Sequence, residues 1–188
     1  RYCNRVANKE SYIKLERQMI RFIKNKLVPF DLNKFDFSFD KLELTEEHPY
    51  FHLGEKTNDV SVQTRVWHEN LPDEIMDYIH EFGFKKDSFC VNLTVQHPGS
   101  MTPVHIDKYV RCANILKIKP EEITRILIFL TDWEVGQTFG VENECLLEWK
   151  AGDCYTFDEL DEHWTVNAGV GTRYTLLIST RKDSIIDV

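Results

Sequence analysis

Between Asp87 and Thr180 the chain repeats one local pattern: a short run rich in β-branched and aromatic residues, then a turn signal. That repetition constrains the fold more than any other feature, because short strands at regular spacing bury their apolar faces by stacking into a sandwich or closing into a barrel. The expected strands run from Phe89 to Gln96, Pro103 to Tyr109, Thr124 to Asp132, Gln137 to Val141, Cys145 to Trp149, Cys154 to Asp158, His163 to Asn167 and Thr172 to Thr180. The segments His97-Pro98-Gly99-Ser100, Asn143-Glu144, Lys150-Ala151-Gly152-Asp153 and Asn167-Ala168-Gly169-Val170-Gly171 supply the Gly, Asn and Asp positions that tolerate positive φ.

Eight antiparallel strands of this kind predict a mostly β fold with flanking helices, built on a jelly-roll or double-stranded β-helix core. Alternate residues of a strand share a face, so parity assigns side chains to the interior. Asn92, Thr94 and Gln96 share one face of the first strand and Val91, Leu93 and Val95 the other, giving the polar inner face that a ligand cavity needs. His105 and Asp107 are two apart and reach one ion from one face. With His163 they supply two imidazoles and one carboxylate, the facial set that holds non-haem Fe(II) and leaves positions open. Arg173 and Thr175 share a face, directing a guanidinium and a hydroxyl at one carboxylate.

A lone His-x-Asp is a weak motif: in a chain with 7 histidines and 31 acidic residues, about one His-x-Asp or His-x-Glu arises by chance. Its weight comes from the strands that carry it together with His163 and Arg173. Gln96 reads either as a hydrogen-bonding partner of a co-substrate or substrate, or as a residue closing a turn. Arg125 reads either as a second anion anchor facing the cavity or as a solvated strand end. Trp149 and Trp164 are expected in the core, and Lys108 on the surface. The other histidines, His48, His52, His68, His80 and His97, lack metal-ligand spacing.

Before Asp87 the pattern changes. Ser11 to Lys26 has apolar residues close to helical spacing, with Pro29 after its stop. Leu71 to Phe82 reads as a second helix, with Asn70 as its cap and Pro72 in the first turn. Asp31 to Leu44 and Ser61 to Trp67 look extended. The length suits one domain, 1–188, in which residues 1–86 form a helical and extended support region and 87–182 the β core.

From Glu148-Trp149-Lys150-Ala151-Gly152-Asp153 through Phe157-Asp158, His163, Asn167 and Arg173 to Leu176-Leu177-Ile178, the chain resembles the 2-oxoglutarate and Fe(II)-dependent dioxygenase superfamily. Within it, the aspartyl/asparaginyl β-hydroxylase branch is the most similar. The resemblance covers roughly the C-terminal half. It implies that His105, Asp107 and His163 bind Fe(II), that Arg173 with Thr175 anchors 2-oxoglutarate, and that O2 is the second co-substrate. Hydroxylation of an amino acid, a peptidyl side chain or another small metabolite would follow, with release of succinate and CO2. Two departures stand out: some aspartyl hydroxylases lack the carboxylate ligand that Asp107 supplies here, and Val110 to Glu122 is an insertion that reads as part of a lid.

Two alternatives stay open at the level of sequence. One is an oxidative nucleobase demethylase, to which Pro98-Gly99 before His105 has a faint likeness, although Ser179 stands where that family has a second arginine. The other is a non-catalytic, metal-binding cupin-like module, since zinc accepts the same ligands. A net charge of −8 argues against a general nucleic-acid or anionic-membrane surface. Five cysteines without CxxC spacing suit reduced thiols, and Cys145 and Cys154, which flank a hairpin, are read as buried thiols. With no signal peptide or transmembrane run evident, a cytoplasmic setting is expected.

Overall fold

The computed structural model describes residues 19–37, 40–41, 63–84, 88–158 and 161–185. Among the described residues the strands are β1 (Arg21–Asn25), β2 (Asp40–Lys41), β3 (Gln63–Trp67), β4 (Phe89–Gln96), β5 (Ser100–His105), β6 (Ile123–Phe129), β7 (Gln137–Val141), β8 (Glu144–Leu146), β9 (Asp153–Phe157), β10 (His163–Asn167) and β11 (Arg173–Arg181). The described α-helices are α1 (Asp73–Glu81) and α2 (Val110–Leu116). The large sheet has the order β1-β9-β6-β11-β4-β3-β2 and the small one β5-β10-β7-β8, with antiparallel pairing throughout.

From β4 onward the chain passes back and forth between the two sheets. β4, β6, β9 and β11 lie in the large sheet, and β5, β7, β8 and β10 in the small one. That winding is a double-stranded β-helix, so the mostly β, jelly-roll expectation holds on strand order. β4, β7 and β10 occupy the expected residues. β5 begins and ends earlier than expected because Gly99, at φ 81°, turns the chain straight into Ser100, and Tyr109, at φ 52°, turns it out toward α2. β8 ends at Leu146 instead of Trp149. Glu148 has φ 61°, and Trp149 leaves the ladder to stack on Phe129 at 4.0 Å and 9°.

The sheets divide the core in two. On the outer face of the large sheet Val91, Leu93, Val95, Ile126, Ile128, Leu176 and Ile178 pack against α1. That helix presents Ile75, Tyr78 and Ile79, the i, i+3, i+4 stripe of an amphipathic helix. Between the sheets Leu127, Phe129 and Phe157 meet Phe139 and Val141 of the small sheet, with Trp149. The cap of α1 differs from expectation: Asn70 ends a short 3-10 turn, and Pro72 takes the N-cap position at ψ 148° without a side-chain hydrogen bond. Asp73 and Glu74 in the first turn complement the helix dipole instead.

The segment expected as a helix from Ser11 to Lys26 is corrected where it is described. Arg21–Asn25 is strand β1, paired with β9, and Phe22 lies edge-on to Tyr155 at 5.4 Å. Local apolar spacing loses here to the free edge of β9, whose backbone groups need partners. Residues 11–18 lie outside the described set, as do His48 and His52. Of the stretch from Asp31 to Leu44, Leu32–Lys34 forms a 3-10 turn with Asp31 as its cap, where an extended chain was expected. β1 and β3 join the large sheet from either side, so the N-terminal region contributes strands to it as well as a bracing helix.

Candidate metal centre

His105 closes β5 and His163 opens β10, and these two residues face each other across the antiparallel pair. Their rings lie 4.2 Å apart between centroids. Each imidazole is fixed from behind: His105 Nδ1 bonds Pro103 O at 2.9 Å and His163 Nδ1 bonds Asp161 O at 3.0 Å. A carbonyl only accepts, so both Nδ1 atoms carry the proton, and Nε2 is the atom turned toward Asp107. His105 Nε2 is 3.6 Å from Asp107 Oδ1 and His163 Nε2 is 3.5 Å from Oδ2.

One donor atom from each of His105, Asp107 and His163 falls within 4.8 Å of the others, a group able to hold a metal ion. The donor chemistry fits a borderline divalent ion: two imidazole nitrogens and one carboxylate oxygen, with both rings oriented by backbone carbonyls. One expectation about this group is corrected. The strand expected from Pro103 to Tyr109 ends at His105, so Asp107 joins the group from just past the strand end, in the loop between β5 and α2.

Arg125 lies on the inner face of β6 and is buried at 5% exposure, so it is not a solvated strand end. Nor is it placed as an anchor for an outside anion. Its Nη2 donates to Asp107 Oδ2, its Nη1 donates to Ser179 Oγ at 3.1 Å, and its Cζ stands 4.8 Å from the centre of the Tyr109 ring. Burial disfavours the Asp107 carboxylate, but Arg125 and the two imidazoles outweigh it and hold the group well below the usual carboxylate range. Burial likewise opposes the charge of Arg125, while Tyr109 and Asp107 outweigh that and raise its pKa.

Arg173 is the second buried guanidinium of this interior, at 3% exposure, and its surroundings differ. Its Nη1 donates to Thr138 O at 3.0 Å across the gap between the sheets, and Nη2 donates to Gln96 Oε1 and Thr165 Oγ1. The Trp149 ring centre lies 5.7 Å from Cζ. Among the described residues no carboxylate pairs with Arg173, and its Nε has no hydrogen-bond partner. Burial brings its pKa down to about 9. Thr175 follows on the same face of β11, buried at the register position of Thr94.

Gln96 has both ends engaged within the protein, so it does not stand ready for an outside ligand. Its Oε1 accepts from Arg173 and from Thr165 Oγ1 at 3.0 Å, and its Nε2 donates to Ser100 O at 3.2 Å and Thr165 O at 3.4 Å. It positions Arg173. Thr165 does the same and was missed, although its parity with His163 on β10 was readable. Lys108 is exposed. Cys90, Cys112 and Cys154 are buried free thiols, whereas Cys145 is exposed, against the expectation of a buried one.

The insertion after Asp107 forms α2, whose Cys112 and Ala113 pack with Cys90 of β4, Tyr109 and Ile123. Arg111 on its outer side sits over the Trp67 ring at 4.0 Å and pairs with Glu69. Among the described residues no helix is long and apolar enough to cross a membrane.

No family model matches the chain, and no curated protein sequence matches it. Solved structures similar to part of it include a cupin domain from Bordetella pertussis, at 11% identity and TM-score 0.41, covering 65% of this chain and 96% of the other. A predicted oxalate decarboxylase from Thermotoga maritima aligns at 16% identity and TM-score 0.41, over 64% and 82%. A Cupin 2 conserved barrel domain protein from Salinispora arenicola aligns at 12% identity and TM-score 0.40, over 76% and 94%. The strand order described above carries the fold assignment: a double-stranded β-helix with a His-Asp-His group at the end of two adjacent strands of its small sheet.

Proposed function

We propose that this protein is a 2-oxoglutarate- and Fe(II)-dependent dioxygenase that hydroxylates an amino acid, a peptidyl side chain or another small metabolite and releases succinate and CO2. One observation carries the reading: the barrel that holds the His105, Asp107 and His163 donors also buries a guanidinium, Arg173, that no described carboxylate neutralises. A buried cation without a counter-ion is costly, so its retention in the same barrel as a candidate metal group supports an anion supplied from outside. A dicarboxylate that chelates the metal with one end and meets Arg173 with the other satisfies both.

In this reading His105, Asp107 and His163 hold the iron, and the bound iron and 2-oxoglutarate together supply the oxidising power that delivers one oxygen atom of O2 to a C–H bond. The protein's part is orientation and exclusion of water. Pro103 O and Asp161 O set the imidazole rings, Gln96, Thr165 and Thr138 O aim the Arg173 guanidinium, and Phe157, 5.1 Å from the His163 ring, and Phe139 wall that side with hydrocarbon. The lowered pKa of Arg173, about 9, still leaves it cationic at neutral pH and ready for a carboxylate.

Anaerobic titration with Fe(II) and then 2-oxoglutarate tests this. The weak visible charge-transfer band of the chelate is expected in the wild type and is expected to vanish in Arg173→Ala. Tight zinc binding with neither that band nor 2-oxoglutarate turnover would overturn the proposal in favour of a metal-binding module.

A further inference from the structure

Among the described residues, two buried arginines face the interior of this barrel, and one of the two has its charge met from within. Arg173 pairs with no described carboxylate, whereas Arg125 is committed to Asp107 Oδ2. The commitment is over-determined. Arg125 is held from β11 through Ser179 Oγ at 3.1 Å and from the loop through the ring of Tyr109, so its guanidinium cannot follow Asp107 if the carboxylate turns.

We infer that Arg125 is a positioning residue that makes Asp107 a one-oxygen ligand, by keeping Oδ2 for itself and leaving Oδ1 to the metal. The inference rests on reading His105, Asp107 and His163 as metal ligands. Its physical basis is electrostatic. A divalent ion and a guanidinium on the same carboxylate oxygen repel one another strongly in a buried site, whereas one on each oxygen share the anion with less cost. Both oxygens face an imidazole, Oδ1 at 3.6 Å from His105 Nε2 and Oδ2 at 3.5 Å from His163 Nε2, and the guanidinium of Arg125 is what tells them apart, because it takes Oδ2 and leaves Oδ1.

The functional consequence concerns the count of open positions. A carboxylate binding through both oxygens would occupy a position that a chelating co-substrate or a second small ligand needs, so denying it Oδ2 keeps three positions free. Ser179 acquires a role in the same argument. It stands opposite Arg125 on the neighbouring strand and accepts from Nη1 while Nη2 holds Asp107.

The test is a crystal structure of the Mn(II)-loaded protein, in the wild type, Arg125→Met and Arg125→Lys, with calorimetric titration of 2-oxoglutarate into each under anaerobic conditions. In the wild type the metal is expected about 2.0–2.2 Å from Asp107 Oδ1, with Oδ2 outside bonding distance and still on Arg125. In Arg125→Met both oxygens are expected on the metal and 2-oxoglutarate affinity is expected to fall at least tenfold; Arg125→Lys is expected to restore part of it. Two-oxygen ligation in the wild type would overturn the inference alone, and that structure is decisive even if the Met variant fails to fold. One-oxygen ligation with unchanged affinity in Arg125→Met would overturn it equally. Mn(II) that does not bind His105, Asp107 and His163 in the wild type would overturn the metal site itself.

Discussion

Gln96 and Arg173 are direct cross-strand partners on β4 and β11, and the amide oxygen of the first accepts from the guanidinium of the second. A neutral acceptor orients the cation without cancelling its charge. In the proposed function, that choice of residue is what leaves Arg173 able to take an outside anion.

Replacing Gln96 by Glu is therefore expected to convert the site. The change is isosteric and puts a carboxylate where Arg173 already donates, so an internal ion pair competes with any external carboxylate. Steady-state kinetics should show the KM for 2-oxoglutarate rising by roughly tenfold or more, since an internal ion pair must be given up before an outside carboxylate can take Arg173. An unchanged KM would show that the co-substrate carboxylate does not meet Arg173.

Arg173→Ala is expected to cost more. Removing one partner of a buried, hydrogen-bonded charge pair costs about 2–5 kcal/mol, which is roughly 30-fold or more in the dissociation constant of 2-oxoglutarate. Binding to the metal-loaded protein measured by calorimetry checks the magnitude. Arg173→Lys keeps the charge but loses the planar fork, so it should recover only part of the affinity.

Metal occupancy should be visible as stability. A ligand that binds only the folded state at about 100 times its dissociation constant adds about 2.7 kcal/mol. Thermal melts with and without Mn(II) should differ by the corresponding rise in Tm in the wild type. The difference should disappear in His163→Ala and in the presence of a chelator; persistence of the rise in His163→Ala would place the metal elsewhere.

Gly152 gives a prediction that is independent of function. It has φ 88°, and a Cβ there would come within 1.9 Å of Lys26 O, a backbone atom of the chain leaving β1. The two segments are also joined by the bond from Lys26 N to Gly152 O at 3.1 Å. Gly152→Ala must strain the turn and push β1 away from β9, at an expected cost of about 2 kcal/mol. Chemical denaturation would measure it, and a neutral result would mean that β1 is not seated as described.

The turn residues and the alternation of polar and apolar positions make most of the β core legible in the sequence. The bounds of β4, β7 and β10 can be read directly because each is framed by Gly, Pro, Asn or Asp. The errors fall where partners decide. Arg21–Asn25 has the apolar spacing of a helix, and only the open edge of β9 makes it a strand.

The sequence by itself determined the chemistry of the donor set and the faces of the strands, because residue type and period-two alternation are local properties. It could not distinguish Arg125 from Arg173. Each is an arginine on a strand of the same barrel; one meets Asp107, 18 residues away, and the other Gln96, 77 residues away. Which buried cation finds an internal carboxylate depends on contacts between segments remote in the chain, and those exist only after the two sheets have closed. Tertiary structure alone therefore decided that Arg125 serves Asp107 and that Arg173 retains an uncancelled charge.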